Sequence, residues 1–182
     1  MAVKLNSSGG GSVNIDVPST ASNYSLTIPA TTGTMLLKES TSGLAVPAFS
    51  AHKNGSNQSI SQNTWTKVTF SAEEFDTNSN FDTTNSKFLP TVAGYYQINV
   101  VCYITGTASD LYAQLYKNGS GMNPSVYINY GANSSTMHLS FSNLMYFNGT
   151  TDYIELYAYS NGASPVINQG GTHFQGFLVR SA

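Results

Sequence analysis

One run of this sequence alternates strictly from Tyr95 to Ile104, and it constrains the fold more than any other feature. Tyr96, Ile98, Val100, Cys102 and Ile104 fall on one face of a period-two pattern, and Tyr95, Gln97, Asn99, Val101 and Tyr103 on the other. Phe88, Leu89, Pro90, Ala93 and Gly94 lead into it. The first face is apolar enough to be core. The second is aromatic and amide-rich, the composition of a surface that meets either solvent or another subunit.

The same pattern recurs along the chain. Leu111, Ala113 and Leu115 alternate with Tyr112, Gln114 and Tyr116; Met137, Leu139 and Phe141 alternate with His138, Ser140 and Ser142. Ile154, Leu156 and Ala158 alternate with Tyr153, Glu155, Tyr157 and Tyr159, and Phe174, Gly176 and Leu178 with His173, Gln175, Phe177 and Val179. Asn-Gly pairs at 54–55, 118–119, 148–149 and 161–162 mark tight turns between these runs, since both residue types accept positive φ. No stretch carries helical periodicity. Many short half-buried strands at regular spacing predict an all-β antiparallel sandwich or jelly roll.

This domain is expected to start near Val46 and to occupy residues 46–182. Lys38 to Leu44 reads as a linker of turn formers, so residues 1–45 form a separate amino-terminal segment. That segment is rich in Gly, Ser and Thr and holds two short alternating runs, Val13-Ile15-Val17 closed by Pro18 and Tyr24-Leu26-Ile28 closed by Pro29. Two such strands do not hold themselves folded in water. The segment is therefore expected to dock, onto its own domain, onto sister subunits or onto a larger assembly.

Only 9% of residues are charged and the formal net charge is −2, which leaves neither a nucleic-acid footprint nor a basic patch for a membrane surface. Cys102 is the single cysteine and alternates with Val100 and Ile104, so it reads as a buried apolar residue outside any disulfide or cysteine-based metal site. There is no apolar run of spanning length and no signal-peptide pattern after Met1. The sequons at Asn54, Asn118 and Asn148 then read as turn chemistry.

Residues spread over the carboxy-terminal three quarters resemble the globular head of the complement C1q family. They are Ala48-Phe49-Ser50-Ala51, Trp65 through Val68 to Phe70, Phe81-Asp82, Phe88, Pro90, Gly94-Tyr95-Tyr96, Leu115, Lys117-Asn118-Gly119, Gly149, Asp152 to Leu156, and Phe174, Gly176, Phe177, Leu178. The resemblance implies a ten-stranded jelly roll related to the tumour necrosis factor fold, a tight homotrimer, and binding in place of catalysis. Two departures accompany it. Gly149-Thr150-Thr151-Asp152 stands where the family often has Gly followed directly by Asp, and no Gly-x-y stalk is present. The amino-terminal order Val13 to Pro18, Ser19 to Asn23, Tyr24 to Pro29 and Ala30 to Thr34 resembles short modules of tail-fibre and other virion proteins of tailed bacteriophages.

Catalytic chemistry finds no foothold. His52, His138 and His173 share no metal-ligand spacing, and neither a nucleophile elbow nor a phosphate loop occurs. Glu73, Glu74 and Asp76 are the only carboxylate cluster and read as a solvated polar loop. Their oxygens would suit calcium, but their spacing matches no calcium loop, so no cofactor is expected. Asp110 is read as the start of a strand after a turn, and Asp152 as the cap of one.

Twelve tyrosines carry more information. Tyr95, Gln97, Tyr103, Tyr112, Gln114, Tyr116, Tyr153, Tyr157 and Tyr159 all fall opposite apolar faces, and together they predict one surface lining a trimer axis. Tyr127, Asn129, Tyr130 and Asn133 around Gly131 form a second expected site, a sugar-binding loop.

The function expected from these readings is that of a bacteriophage virion structural protein. It would be a trimeric fibre or spike head that binds a host-surface glycan or protein without covalent chemistry, with residues 1–45 tying it to the virion. Assembly in the host cytoplasm accounts for a recognition domain with neither signal peptide nor disulfide. A capsid-decorating head fibre is an alternative within that class, and a free complement-like lectin or ligand one outside it.

Overall fold

The computed structural model describes residues 3–6, 8–15, 46–122 and 126–182. The chain divides into two compact units, Met1–Lys38 and Glu39–Ala182.

In the first unit, β1 (Val3–Asn6) pairs antiparallel with β2 (Ser12–Ile15), with Val3 opposite Ile15 and Asn6 opposite Ser12. Gly10 takes the positive φ of 87° that the connecting turn requires. The alternating run from Val13 anticipates β2 but not its partner, because Val3 and Leu5 around Lys4 are too short a run to stand out. The second expected strand, Tyr24 to Ile28, and the linker lie outside the described residues.

The second unit is all-β. Its strands are β3 (Ala48–His52), β4 (Gln58–Ser59), β5 (Thr66–Lys67), β6 (Ala72–Asp76), β7 (Phe81–Asp82), β8 (Lys87–Phe88), β9 (Gly94–Lys117), β10 (Ser120–Gly121), β11 (Val126–Phe147), β12 (Ile154–Ser160), β13 (Ala163–Ile167) and β14 (His173–Ser181). All strand pairs in it are antiparallel. Two strands are long enough to serve both layers. As far as Val101, β9 lies between β14 and the second half of β11; β13 flanks it from Ile104 to Thr107, and from Leu111 onward it lies between β12 and the first half of β11. The result is a jelly roll of two sheets, β6-β3-β14-β9-β11 and β7-β8-β12-β9-β11, with hydrogen bonding continuous through the two long strands. Gly106 takes a φ of 133°, open to glycine, where β13 pairs with β9 at Thr105 and Thr107; the change of sheet follows between Ala108 and Leu111, both buried.

Aromatic rings join the layers. Phe49 of β3 stacks on Phe88 of β8 at 4.2 Å between ring centroids and on Phe81 of β7 at 5.2 Å, and meets Phe174 of β14 edge-on at 5.3 Å. Tyr96 and Phe147 of the first sheet both meet Phe88 of the second edge-on. The apolar face read from the sequence (Tyr96, Ile98, Val100, Cys102, Ile104) is buried throughout. Burial pushes the Cys102 thiol up to about 12, so it behaves as the small apolar side chain its alternation predicts. Lys53 is also buried; its ammonium donates to Gln58 Oε1, Thr69 O and Thr69 Oγ1, and desolvation lowers its pKa.

Local chemistry departs from the sequence expectation at three places. Glu73, Glu74 and Asp76 are not in a loop but on the edge strand β6, bonded to β3; Glu74 accepts from Ser50 Oγ, and Asp76 accepts from the Asn78 and Phe81 amides to shape the following turn. Asp110 lies inside β9, where its amide donates to Asn161 Oδ1 and its carboxylate accepts from Asn161 Nδ2, locking the turn after β12. Of the four Asn-Gly pairs, Asn118 (φ 53°) and Gly119 (φ 78°) have positive φ at both residues, as the two-residue link between β9 and β10 requires. At Asn161-Gly162 the glycine is needed for space, since a methyl there would overlap the Thr107 carbonyl.

Candidate functional site

Of the nine residues predicted to line one surface, all but Tyr153 fall on the two outer faces of the sandwich. Tyr95, Gln97 and Tyr103 belong to the half of β9 bonded to β14, in the first sheet; Tyr112, Gln114 and Tyr116, with Tyr157 and Tyr159 of β12, belong to the second. With the core between the sheets, these groups point in opposite directions. The single surface is thus corrected to two, and the cause is the passage of β9 from one layer to the other between Ala108 and Leu111.

The first face has an apolar end and a polar end. Phe177 and Leu144 flank Gln97 from β14 and β11, and in the next row Tyr146 lies beside Tyr95, ring centroids 5.5 Å apart, with Val179 bulged on the other side. Leu144 is 59%, Val179 54%, Phe177 45% and Tyr95 45% exposed, which is costly for side chains of that size. At the far end Tyr103 stacks on the exposed ring of His138 at 4.2 Å, and His173 pairs across to His52 and Val101. Arg180 is registered opposite Tyr95 at the end of β14.

The second face is a braced aromatic cluster that the sequence reading did not gather, because Trp65 stands just before β5 and belongs to no alternating run. Its indole lies 5.9 Å from the Tyr112 ring, 6.2 Å from Tyr116 and 5.5 Å from Tyr159. Tyr112 meets Tyr159 edge-on at 5.3 Å, and Tyr116 stacks on Tyr157 at 3.9 Å. Tyr159 Oη donates to Asn63 Oδ1 at 3.2 Å. Burial raises the Tyr116 phenol, and burial, then the neighbouring Glu155 carboxylate, raises that of Tyr157, so both keep their protons. Glu155 itself is buried beneath this face and neutralised by Lys67 at 3.0 Å.

The remaining predicted residues are distributed as follows. Gln114 donates to the Met122 carbonyl and braces the β9–β10 hairpin. Tyr153 stands apart from the cluster at the Asn118–Gly119 turn, its ring beneath the Lys87 ammonium at 5.1 Å. The backbones of Tyr127, Asn129, Tyr130 and Asn133 belong to β11, a strand where a loop was expected, and their side chains lie outside the described residues. Register brings two of them to the second sheet: Tyr127 is opposite Tyr112 and Asn129 opposite Asp110. Among the described residues no three His, Cys, Asp or Glu side chains converge as metal ligands would, and no helix is long and apolar enough to cross a membrane.

Residues 48–179 match the C1q domain family. The chain belongs to that family. Domains of this family are recognition and ligand modules. The architecture is also similar to solved structures. The globular domain of zebrafish complement 1qA protein is 19% identical, with a TM-score of 0.54, and the match covers 75% of this chain and 99% of that one. Eiger TNF from S. frugiperda is 11% identical with a TM-score of 0.56, covering 75% and 94%; murine APRIL is 9% identical with a TM-score of 0.56, covering 74% and 99%. At these identities the likeness is one of fold. No curated protein sequence matches the chain. The C1q match starts at β3 and ends in β14, so both aromatic faces lie within it.

Proposed function

We propose that this chain is a structural protein of a bacteriophage virion: a homotrimeric jelly-roll head that recognises and attaches to the host surface by non-covalent binding, tethered through residues 1–45. The observation that carries the reading is the apolar end of the first face. Leu144, Tyr146, Tyr95, Phe177 and Val179 are all exposed and adjoin one another around Gln97, the kind of contiguous apolar patch that marks a contact surface. Three copies arranged about an axis would bury it while Gln97 and the tyrosine hydroxyls kept hydrogen-bond partners. The virion assignment is supported by the amino-terminal order of strand-like runs closed by Pro18 and Pro29, of which β2 is one.

Multi-angle light scattering of the whole chain at micromolar concentration is expected to give three times the protomer mass. The pair Leu144→Asp and Phe177→Asp is expected to reduce it to one, while Tyr157→Ser, on the opposite sheet, leaves the trimer intact. A wild-type monomer would sink the assembly. Antibody against residues 46–182, viewed by electron microscopy on particles of the encoding phage, is expected to label the tail or the capsid; unlabelled particles overturn the virion assignment.

A further inference from the structure

The second face has no part in the proposed trimer axis. It is built around the one tryptophan of the chain, which remains 36% exposed although three tyrosines, Tyr112, Tyr116 and Tyr159, pack against it. The tyrosines brace one another, edge-on between Tyr112 and Tyr159 and stacked between Tyr116 and Tyr157, so the indole is held at one orientation and loses little freedom when something stacks on it. Exposed amide side chains form the rim on the side of Trp65: Gln62, whose amide donates to the Asn161 carbonyl, and Asn63, held by Tyr159 Oη. Asn63 has a φ of 58°, a left-handed turn conformation that asparagine tolerates.

We propose that this face is a saccharide-binding platform, in which Trp65 stacks on the apolar face of a neutral pyranose and Tyr159, Tyr112 and the Gln62–Asn63 turn receive its hydroxyl edge. The chemistry selects this ligand over others that stack. A nucleobase would bring a phosphate, and Lys67, two residues after Trp65, is already paired with Glu155. An acidic sugar would meet the same committed lysine. A neutral pyranose offers one C–H face to an aromatic ring and a ring of hydroxyls to amides and phenols, the same division of apolar centre and polar rim found here. The inference rests on the reading of the head as a surface-recognition module, and a trimer would present three such platforms outward, gaining avidity on a repeating polymer.

The single tryptophan makes the test specific, because intrinsic emission reports this platform alone. The whole chain is titrated with maltohexaose, cellohexaose and chitohexaose, with hexagalacturonate as the acidic control, and screened on an array of immobilised neutral and acidic glycans. At least one neutral glycan is expected to change Trp65 emission saturably, and the acidic control is not. By calorimetry, Trp65→Ala and Tyr159→Ala are expected to weaken binding about tenfold or more. Trp65→Phe, which keeps a ring, recovers part of it, while the thermal midpoints of the variants show that the fold is retained. Absence of binding to every neutral glycan, or binding undiminished in Trp65→Ala, overturns the platform. Adsorption to host cells separates this from the broader reading. Equal adsorption by wild type and Trp65→Ala removes the platform and keeps host recognition; glycan binding without any adsorption keeps the platform and removes host recognition.

Discussion

Replacing Asp152 by alanine tests the loop at which the chain departs from its family. The Asp152 carboxylate accepts from Asn118 Nδ2 at 2.8 Å and from the Asn148 amide at 3.0 Å, and meets Lys117 Nζ at 2.9 Å. It thereby fastens the 118–119 turn, the 148–152 loop and the end of β9 to one another. Asn148 Oδ1 reciprocates by accepting from the amides of Thr150, Thr151 and Asp152. A hydrogen bond to a charged group contributes about 1.5–3 kcal/mol and a partly exposed ion pair at most about 1 kcal/mol. Water reaches both turns in the variant and restores part of that, so Asp152→Ala is expected to cost about 2–3 kcal/mol and Asp152→Asn, which keeps one acceptor, about 1 kcal/mol. The Asn118 amide first, then the Lys117 ammonium and the Asn148 amide, hold the carboxyl below its ordinary value of 3.8. A carboxyl depressed on folding stabilises fully above its unfolded value and loses that contribution as pH falls through the folded one. Urea unfolding followed by Trp65 emission, at fixed protomer concentration because assembly shifts the midpoint, should show the gap between wild type and Asp152→Ala narrowing below that value. A gap under about 0.5 kcal/mol at neutral pH, within the range of an ordinary surface substitution, or one unchanged on acidification, would refute the clamp.

Two further substitutions probe how the sheets are held. Phe49→Leu loses stacking on Phe88 and Phe81 and the edge contact with Phe174, so it should lower the urea-derived stability by about 2–3 kcal/mol with an unchanged denaturant slope; a loss below about 1 kcal/mol would show that Phe49 does not join the layers. Gly162→Ala drives a methyl into the Thr107 carbonyl and the Ala108 side chain and should cost about 2–4 kcal/mol, whereas Gly170→Ala, which opens onto empty space, should be neutral within about 0.5 kcal/mol; equal melting temperatures for the two would refute the close-packing account of the 161–162 turn.

The core was legible because burial on one side of a sheet writes itself as alternation. Every apolar residue assigned to the inner face from Tyr96 to Ile104 is buried, as are Leu111, Ala113, Leu115, Ile154, Leu156, Ala158 and Phe174. Edge and end elements were not legible, because their identity is set by what pairs with them. Ala72 to Asp76 reads as polar, yet β3 supplies its ladder and turns it into a strand. Asp152 reads as uninformative since its partners, Lys117 and Asn118, lie more than thirty positions earlier and are brought to it only by the pairing of β9 with β12. Trp65 escaped for the same reason: its neighbours Tyr112, Tyr116 and Tyr159 come from two strands far along the chain, and it is itself in neither.

The division of the tyrosines has a different origin, and its signal was present in the numbering. In the first half of β9 the outward residues are odd, Tyr95, Gln97 and Tyr103; in the second they are even, Tyr112, Gln114 and Tyr116. A strand running straight through one sheet keeps its parity, because a shift of one residue turns every side chain over. A reversal of parity without a chain break therefore requires the strand either to bulge or to leave its sheet. The reversal falls between Ala108 and Leu111, both buried: there the pairing of β11 shifts register, and β12 takes over from β13 as the neighbour of β9. The parity change thus separates a face suited to burying a trimer axis from one suited to meeting a ligand, and it follows that substitutions on one should leave the other's measurement unmoved.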